Sequence, residues 1–267
     1  MRSRPGTPPL PARLRAPLRV VAVAGVLSLL AVLTGCSDDE ADQRQPGAEV
    51  TSQEAEALSQ VLHADREQGG ADFEVSAPYA EGAVLTLTGE VDFSRGIGRA
   101  QAVTSYGGDQ PDETRTLFFT EADLWQGDVP QLAETLTGAG LPAATYVRRP
   151  ITTTNGAGTS SLLDVLVQMV PRLSARTADD PRSFAGYTWV GSRSINGQLA
   201  SVFQSGTGAR IAVSAEDELL VQYVTQLQDF DVTITLADHG EREIPLPADD
   251  DTVDLTAHPE IAAALGL

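Results

Sequence analysis

The sequence predicts an α+β fold that is mainly β, with an antiparallel sheet that has one apolar and one solvated face. Three observations predict it. Apolar and polar residues alternate with period two through several stretches, which sends successive side chains to opposite faces of a strand. Turn signals separate many of these stretches: Gly107-Gly108-Asp109, Asn196-Gly197, Gly206-Thr207-Gly208 and Asp238-His239-Gly240. One helix-period segment precedes the alternation and a second interrupts it, and clean alternation suggests an antiparallel sheet with one solvated face.

From the N-terminus, residues 1–19 carry Arg2, Arg4, Arg13, Arg15 and Arg19 and no acid, and residues 20–34 carry no charge. A positive segment before an apolar one is the layout of a secretory signal peptide. The apolar run falls short of the ~20 residues that span a bilayer as a helix. No Arg-Arg pair precedes it, which favours the general secretory route over the twin-arginine one. Leu33-Thr34-Gly35-Cys36 then resembles the bacterial lipobox: an aliphatic residue, two small ones that fit a peptidase cleft, and the cysteine that becomes the mature N-terminus. Cys36 is the only cysteine in the chain, and a thiolate is the nucleophile that can take a diacylglyceryl group. The expectation is a signal peptide over residues 1–35, lipidation at Cys36, and attachment to the extracytoplasmic face of the cell membrane. Two acyl chains at about 0.8 kcal/mol per buried CH₂ make a stable anchor. Residues 36–50 read as the lipidated cysteine and an acidic tether with nothing to bury, and residues 51–267 as one domain.

Within the domain, Thr51 and Glu54 have capping-box spacing, and Leu58, Val61 and Leu62 recur at helical intervals before Gly69-Gly70. In residues 83–93, Leu85, Leu87, Val91 and Phe93 face one way while Thr86, Thr88, Glu90 and Asp92 face the other. Residues 219–228 are read with Leu219, Val221, Tyr223 and Leu227 on one face, and residues 230–236 with Phe230, Val232, Ile234 and Leu236 on one face. Shorter strands are expected over residues 100–106, 114–120, 199–204 and 210–213. A second helix begins at a Ser161 cap and runs through Leu162, Val165, Leu166, Met169 and Leu173, with Leu163, Val167 and Val170 widening its apolar surface. A helix this apolar is usually buried, and it could equally close the mouth of an apolar cavity. Short helices are expected over residues 129–137 and at the C-terminus.

Charge narrows the functions. The formal net charge is −19, the five signal arginines leave the remainder more acidic still, and lysine is absent. A surface this acidic argues against nucleic-acid binding, which works by releasing counterions from phosphates, and against adhesion to anionic lipid through a polybasic patch, so membrane attachment is expected from the lipid on Cys36. With Cys36 lipidated, the domain has no thiol for a disulfide, a metal site or catalysis. The histidines, His63, His239 and His258, are not paired at metal-ligand spacing, with His63 read as a helix-surface residue and His239 as a turn residue. No nucleophile elbow or complete dinucleotide fingerprint is present. Asp249-Asp250-Asp251 with Asp254 lacks the glycine and glutamate of a calcium loop and reads as solvated. No enzyme activity and no cofactor are expected.

The order of these parts resembles a known family. The opening helix running into "LTLTGEVDF" (residues 85–93), "SINGQLASVFQSG" (194–206) and "DFDVTITLADHGEREIPLP" (229–247) resemble the LppX/LprA/LprF/LprG lipoproteins of actinobacteria, and more distantly the LolA/LolB carriers. The resemblance implies a strongly curved antiparallel half-barrel packed against helices, whose concave side can hold acyl chains. It implies a lipid or lipoglycan carrier of the envelope, or an accessory protein of envelope transport. The expected cavity walls are Leu85, Leu87, Val91, Phe93, Val232, Ile234 and Leu236, with Leu162 and Leu166 near a mouth. If side chains fill the cavity, the same residues are simply core, and the domain is instead a ligand-free module that docks on an envelope protein.

Overall fold

Thr51 starts the first helix as its spacing predicts. Its hydroxyl accepts the N–H of Glu54 at 3.2 Å, and the Glu54 carboxylate accepts the Thr51 N–H at 2.8 Å. This helix, α1, spans Ser52–Gln68, buries Leu58 and Val61, and stops at Gly69, whose φ of 94° suits only glycine well. Arg66 in its last turn donates to the carbonyls of Phe93 and Ser94 and so ties the helix to the sheet. The computed structural model describes residues 44–80, 82–152 and 161–267; the signal segment, Cys36 and residues 37–43 of the tether lie outside them.

Six strands form the first half of the sheet: β1 (Gly70–Ala80), β2 (Ala83–Asp92), β3 (Ile97–Ser105), β4 (Glu113–Phe119), β5 (Asp123–Gln126) and β6 (Tyr146–Pro150). Helix α2 (Leu132–Ala139) separates the last two, and α3 (Leu162–Met169) follows β6. Two 3₁₀ turns, Pro171–Leu173 and Pro181–Phe184, lead into β7 (Thr188–Ile195), β8 (Gln198–Gln204), β9 (Arg210–Ser214), β10 (Leu220–Leu227) and β11 (Phe230–Ala237). The chain ends with β12 (Thr252–Asp254) and α4 (Pro259–Leu265).

The twelve strands of the described residues form one open sheet in the order β12-β6-β5-β4-β3-β2-β1-β11-β10-β9-β8-β7. Two meanders meet at the β1–β11 pair, and the fold is mainly β, as expected. One pairing departs from the antiparallel expectation: β12 lies parallel to β6. It reaches that edge because residues 238–248 cross the polar face of the sheet as a strap that ends in a 3₁₀ turn, Asp249–Asp251. On the way Arg242 pairs with Asp72 at 2.9 Å, and Ile244 packs with Phe118 and Trp125.

The main core lies on the other face, under α1 and α3. Cross-strand rows build it: Ile234, Val75, Leu87 and Ala102 are successive partners, as are Leu236, Phe73, Gly89, Ala100 and Leu117. The alternation read from residues 83–93 and 230–236 is the alternation seen. Residues 219–228 differ. A bulge between Leu220 and Gln222 turns Leu220 toward the helices with Tyr223, while Val221 joins Ile195, Ala200, Val202 and Ala212 in a separate cluster. An extra residue in one strand swaps the faces of everything on one side of it, so Val221 and Tyr223 do not share a face.

Helix α3 is shorter than the apolar stripe from Leu162 to Leu173 suggests, because Pro171 cannot continue it and the chain tightens into the 3₁₀ turn. Residues 44–50 also differ from the solvated chain that composition suggests. Gly47 and Val50 donate to the carbonyls of Trp189 and Tyr187 at 2.8 and 3.0 Å, and Val50 packs on the core. The Arg44 guanidinium lies over the Trp189 ring, 5.2 Å from its centre, and pairs with Glu54. An edge strand offers unpaired backbone groups, and this short segment takes up those at the start of β7.

Candidate functional site

Three segments that are far apart in sequence enclose an apolar cleft of about 420 Å³. Leu58, Val61 and Leu62 of α1 form one wall. Ile211 of β9 and Leu220 and Tyr223 of β10 form the floor. Met169, Leu173, Phe184 and Tyr187 close the far side, and the exposed residues Arg172, Asp179 and Ser183 edge it.

Backbone bonds hold the connecting segment in place. The N–H groups of Ala175 and Asp179 donate to the carbonyls of Leu62 and Ser59 on α1, at 2.8 and 2.9 Å. Phe184 and Tyr187 meet edge to face with centroids 5.2 Å apart. The middle of the far wall, between Leu173 and Phe184, is therefore fixed on the helix whose apolar stripe it faces.

Two ionised or ionisable groups brace the elements around the cleft. Asp164 of α3 is 1% exposed and accepts from both terminal nitrogens of Arg149, at 2.5 and 3.0 Å, and from the N–H of Thr152 at 3.0 Å. Burial raises its pKa, but the bonds from Arg149, Thr152 and Ser161 outweigh that and hold it below the usual carboxylate range. Asp65, one turn beyond Val61 on α1, is fully buried and accepts the N–H of Leu220 at 3.1 Å. That bond joins the cleft wall to its floor. Asp65 faces His239 across 3.5 Å; His239 lies in the turn after β11, as read from the sequence, with its side chain buried.

The other face of the sheet carries a wider, polar hollow of about 770 Å³, with Glu74, Thr88, Glu90, Arg99, Gln101 and Asn196 among its lining residues. Arg99 pairs there with Glu90 at 2.7 Å, and Asp72 pairs with Arg242 of the strap at 2.9 Å. Among the described residues, no group of three or more His, Cys, Asp and Glu side chains is placed to hold a metal ion, and no helix is long and apolar enough to cross a membrane.

The expected cavity residues fall elsewhere. Leu85, Leu87, Val91, Phe93, Val232, Ile234 and Leu236 are each at most 4% exposed in the packed core, as is Leu166, and Leu162 packs on that core half-buried. None of them lines the cleft. Cys36 lies outside the described residues. The physical reason for the displacement is that α1 and α3 seat directly on the central strands and fill the space above them. The opening remains where the 3₁₀ turns, rather than a full helix, cover β9 and β10. The stripe of Leu58, Val61 and Leu62 was legible as helix surface. The sequence signal for the opposite wall was weaker: two aromatic residues, Phe184 and Tyr187, in a proline-bounded segment without periodicity.

No protein-family model matches the chain, and no curated protein matches it. Among solved structures it is similar to LprF from Mycobacterium bovis, with a TM-score of 0.42 and 12% identity over 75% of this chain and 100% of that one. It is also similar to an uncharacterised conserved protein from Thermus thermophilus, with a TM-score of 0.37 and 10% identity over 74% and 97%. A third is MucB, with a TM-score of 0.34 and 13% identity over 76% and 63%. The first of these agrees with the resemblance drawn from the sequence; the likeness concerns the course of the chain and carries nothing about ligand or partner.

Proposed function

We propose that this is a membrane-anchored extracytoplasmic lipoprotein that binds or carries a lipid or other apolar ligand in the cell envelope. The observation that carries the reading is the cleft between α1, the 3₁₀ turns and β9–β10. Its volume of about 420 Å³ falls within the ~300–1,000 Å³ of small-molecule sites. Leucine, valine, isoleucine, methionine and aromatic side chains dominate its lining, and moving apolar ligand surface onto them from water is favourable by about 25 cal/mol per Å². The signal layout and lipobox support an anchor at Cys36.

Native mass spectrometry of the chain from Ser37 onward tests the reading. The expected result is a bound lipid mass that is lost on organic extraction and regained from vesicles. Recovery of apoprotein alone before any extraction, with no uptake from vesicles, overturns it. A ligand-free docking module would give that outcome, and specific capture of one envelope protein would then support the module.

A further inference from the structure

Most described arginines are neutralised within the fold. Arg44 pairs with Glu54, Arg95 with Asp92, Arg99 with Glu90, Arg148 with Asp254, Arg149 with Asp164, Arg210 with Asp231 and Arg242 with Asp72. Arg66 donates to two backbone carbonyls and Arg193 to Gln222. Arg172, Arg176 and Arg182 are different. They make no ion pair among the described residues, all three are exposed, and all belong to the segment that forms the far wall of the cleft. The Arg172 guanidinium makes one side-chain hydrogen bond among the described residues, to Gln168 at a long 3.5 Å. The acids of the same segment are Asp179 and Asp180, and Asp180 already accepts the N–H of Arg182 as a helix cap. In a chain with 37 acids and 18 basic residues, carboxylates are plentiful, yet these three cations face water.

The described chain also begins beside this face. Arg44 stacks on Trp189, and Val50 bonds to Tyr187, a cleft residue. Eight residues, 36–43, separate the Cys36 thiol from Arg44, and a chain of that length spans at most about 28 Å when fully extended.

From these observations we infer that the ligand is an anionic phospholipid drawn from the adjoining bilayer, its acyl chain in the cleft and its phosphate against Arg172, with Arg176 and Arg182 drawing the cleft mouth to the anionic surface. The inference rests on the carrier reading above and adds the headgroup chemistry and the face that meets the membrane. A planar guanidinium presents paired donors that match two phosphate oxygens, and arginines at an anionic surface act within a Debye length of it. Overall acidity does not oppose this, since screening leaves the local charge in control.

The test uses the full chain reconstituted into phosphatidylcholine vesicles with trace photoactivatable phosphatidylglycerol or, separately, trace photoactivatable phosphatidylcholine, the diazirine lying on the acyl chain. Phosphatidylglycerol is expected to label peptides containing Leu62, Met169 and Leu173 about fivefold more than phosphatidylcholine, the factor a single arginine supplies at a membrane surface. The variant Arg172→Gln/Arg176→Gln/Arg182→Gln is expected to label equally with both lipids while keeping its melting temperature. Equal labelling in the unsubstituted protein, or a preference that survives the triple substitution, overturns the headgroup inference and leaves the carrier reading standing. No cleft labelling by either lipid overturns both. Loss of labelling on adding soluble glycerol phosphate identifies a free-phosphate site and overturns the lipid source.

Discussion

Asp65 Oδ1 and His239 Nε2 stand 3.5 Å apart behind the cleft, with side chains 0% and 7% exposed. Burial, against the lowering effect of the Leu220 N–H, pushes the Asp65 carboxyl up to about 8, and burial pushes the His239 imidazole down. The folded pair therefore holds the Asp65 proton through neutral pH while the unfolded chain has released it. Stability from Asp65 falls as pH rises toward 8, by up to about 1.4 kcal/mol per unit. His239 has the opposite slope: its depressed folded value means stability is lost as pH falls below the unfolded value of about 6.5. The two oppose each other in the acid range, and only the Asp65 slope remains between about pH 6.5 and 8. Calorimetric melting temperatures should drop across that window. Asp65→Asn keeps an oxygen for the Leu220 N–H and should flatten the drop and raise stability at pH 8. Equal pH slopes in the two proteins would rule out Asp65 as the source.

The ring of Phe119 lies against Gly98, its cross-strand partner, so closely that a Cβ at Gly98 would overlap the ring. Phe119 is fully buried and meets Phe73 edge to face at 6.2 Å, so the ring has nowhere to withdraw. Gly98→Ala should destabilise by about 1–3 kcal/mol, the usual cost of overpacking a core. Pairing it with Phe119→Leu should recover part of that loss. A double variant whose denaturation midpoint shows simple additivity would mean the two positions do not collide.

Asp164 and Arg149 join α3 to β6 through a largely buried pair. Truncating one partner strands the other charge, and losses of about 3–5 kcal/mol follow in buried pairs. Asp164→Ala should therefore cost far more than changes at the exposed Arg148–Asp249 contact, where Asp249 is almost wholly in water. The Asp164 pKa is lowered, so its contribution is present above the unfolded value near 3.8 and is lost as pH falls through the folded value. Urea denaturation at pH 7 and pH 3 measures this: the gap between wild type and Asp164→Ala should narrow at pH 3.

The strands with strong inward side chains were legible. Leu85, Leu87 and Val91, and Val232, Ile234 and Leu236, announce their faces because each apolar residue is large. β1 is equally regular, with Ala71, Phe73, Val75 and Ala77 inward and Asp72 and Glu74 outward, but half of its inward set is alanine and it starts in a Gly-Gly pair. β5, β6 and β12 are too short to show a period. The bulge in β10 was hidden because Leu219, Leu220 and Val221 are all apolar, so no polar residue marks the shift. The cleft was the least legible part. Its far wall comes from a segment held by backbone bonds to Ser59 and Leu62, and backbone bonds leave no side-chain pattern.

Filling the cleft should separate binding from stability. Leu62 is half-buried and lines the opening without being enclosed. Leu62→Trp should occupy part of the roughly 420 Å³ volume while the packed rows beneath are untouched. Uptake of a fluorescent fatty acid from vesicles is expected to fall at least tenfold, which corresponds to about 1.4 kcal/mol, with a melting temperature within a few degrees of wild type. Undiminished uptake would place the ligand elsewhere.

Cys36 carries the prediction about location. A thiol at the end of a signal and lipobox layout is the one group there that can form a thioether to a diacylglyceryl group. The acidic chain that follows offers the bilayer nothing apolar to hold, so stable anchoring should depend on that thiol, with the arginines beside the cleft only orienting the domain. Cys36→Ala is expected to leave an unprocessed precursor of higher mass, with no incorporation of radiolabelled palmitate. The domain itself should still fold, because Arg44–Leu267 forms a compact unit by itself. Protease resistance of that unit in the variant separates a processing defect from misfolding. Processing and palmitate labelling that persist in Cys36→Ala would move the attachment site away from residue 36.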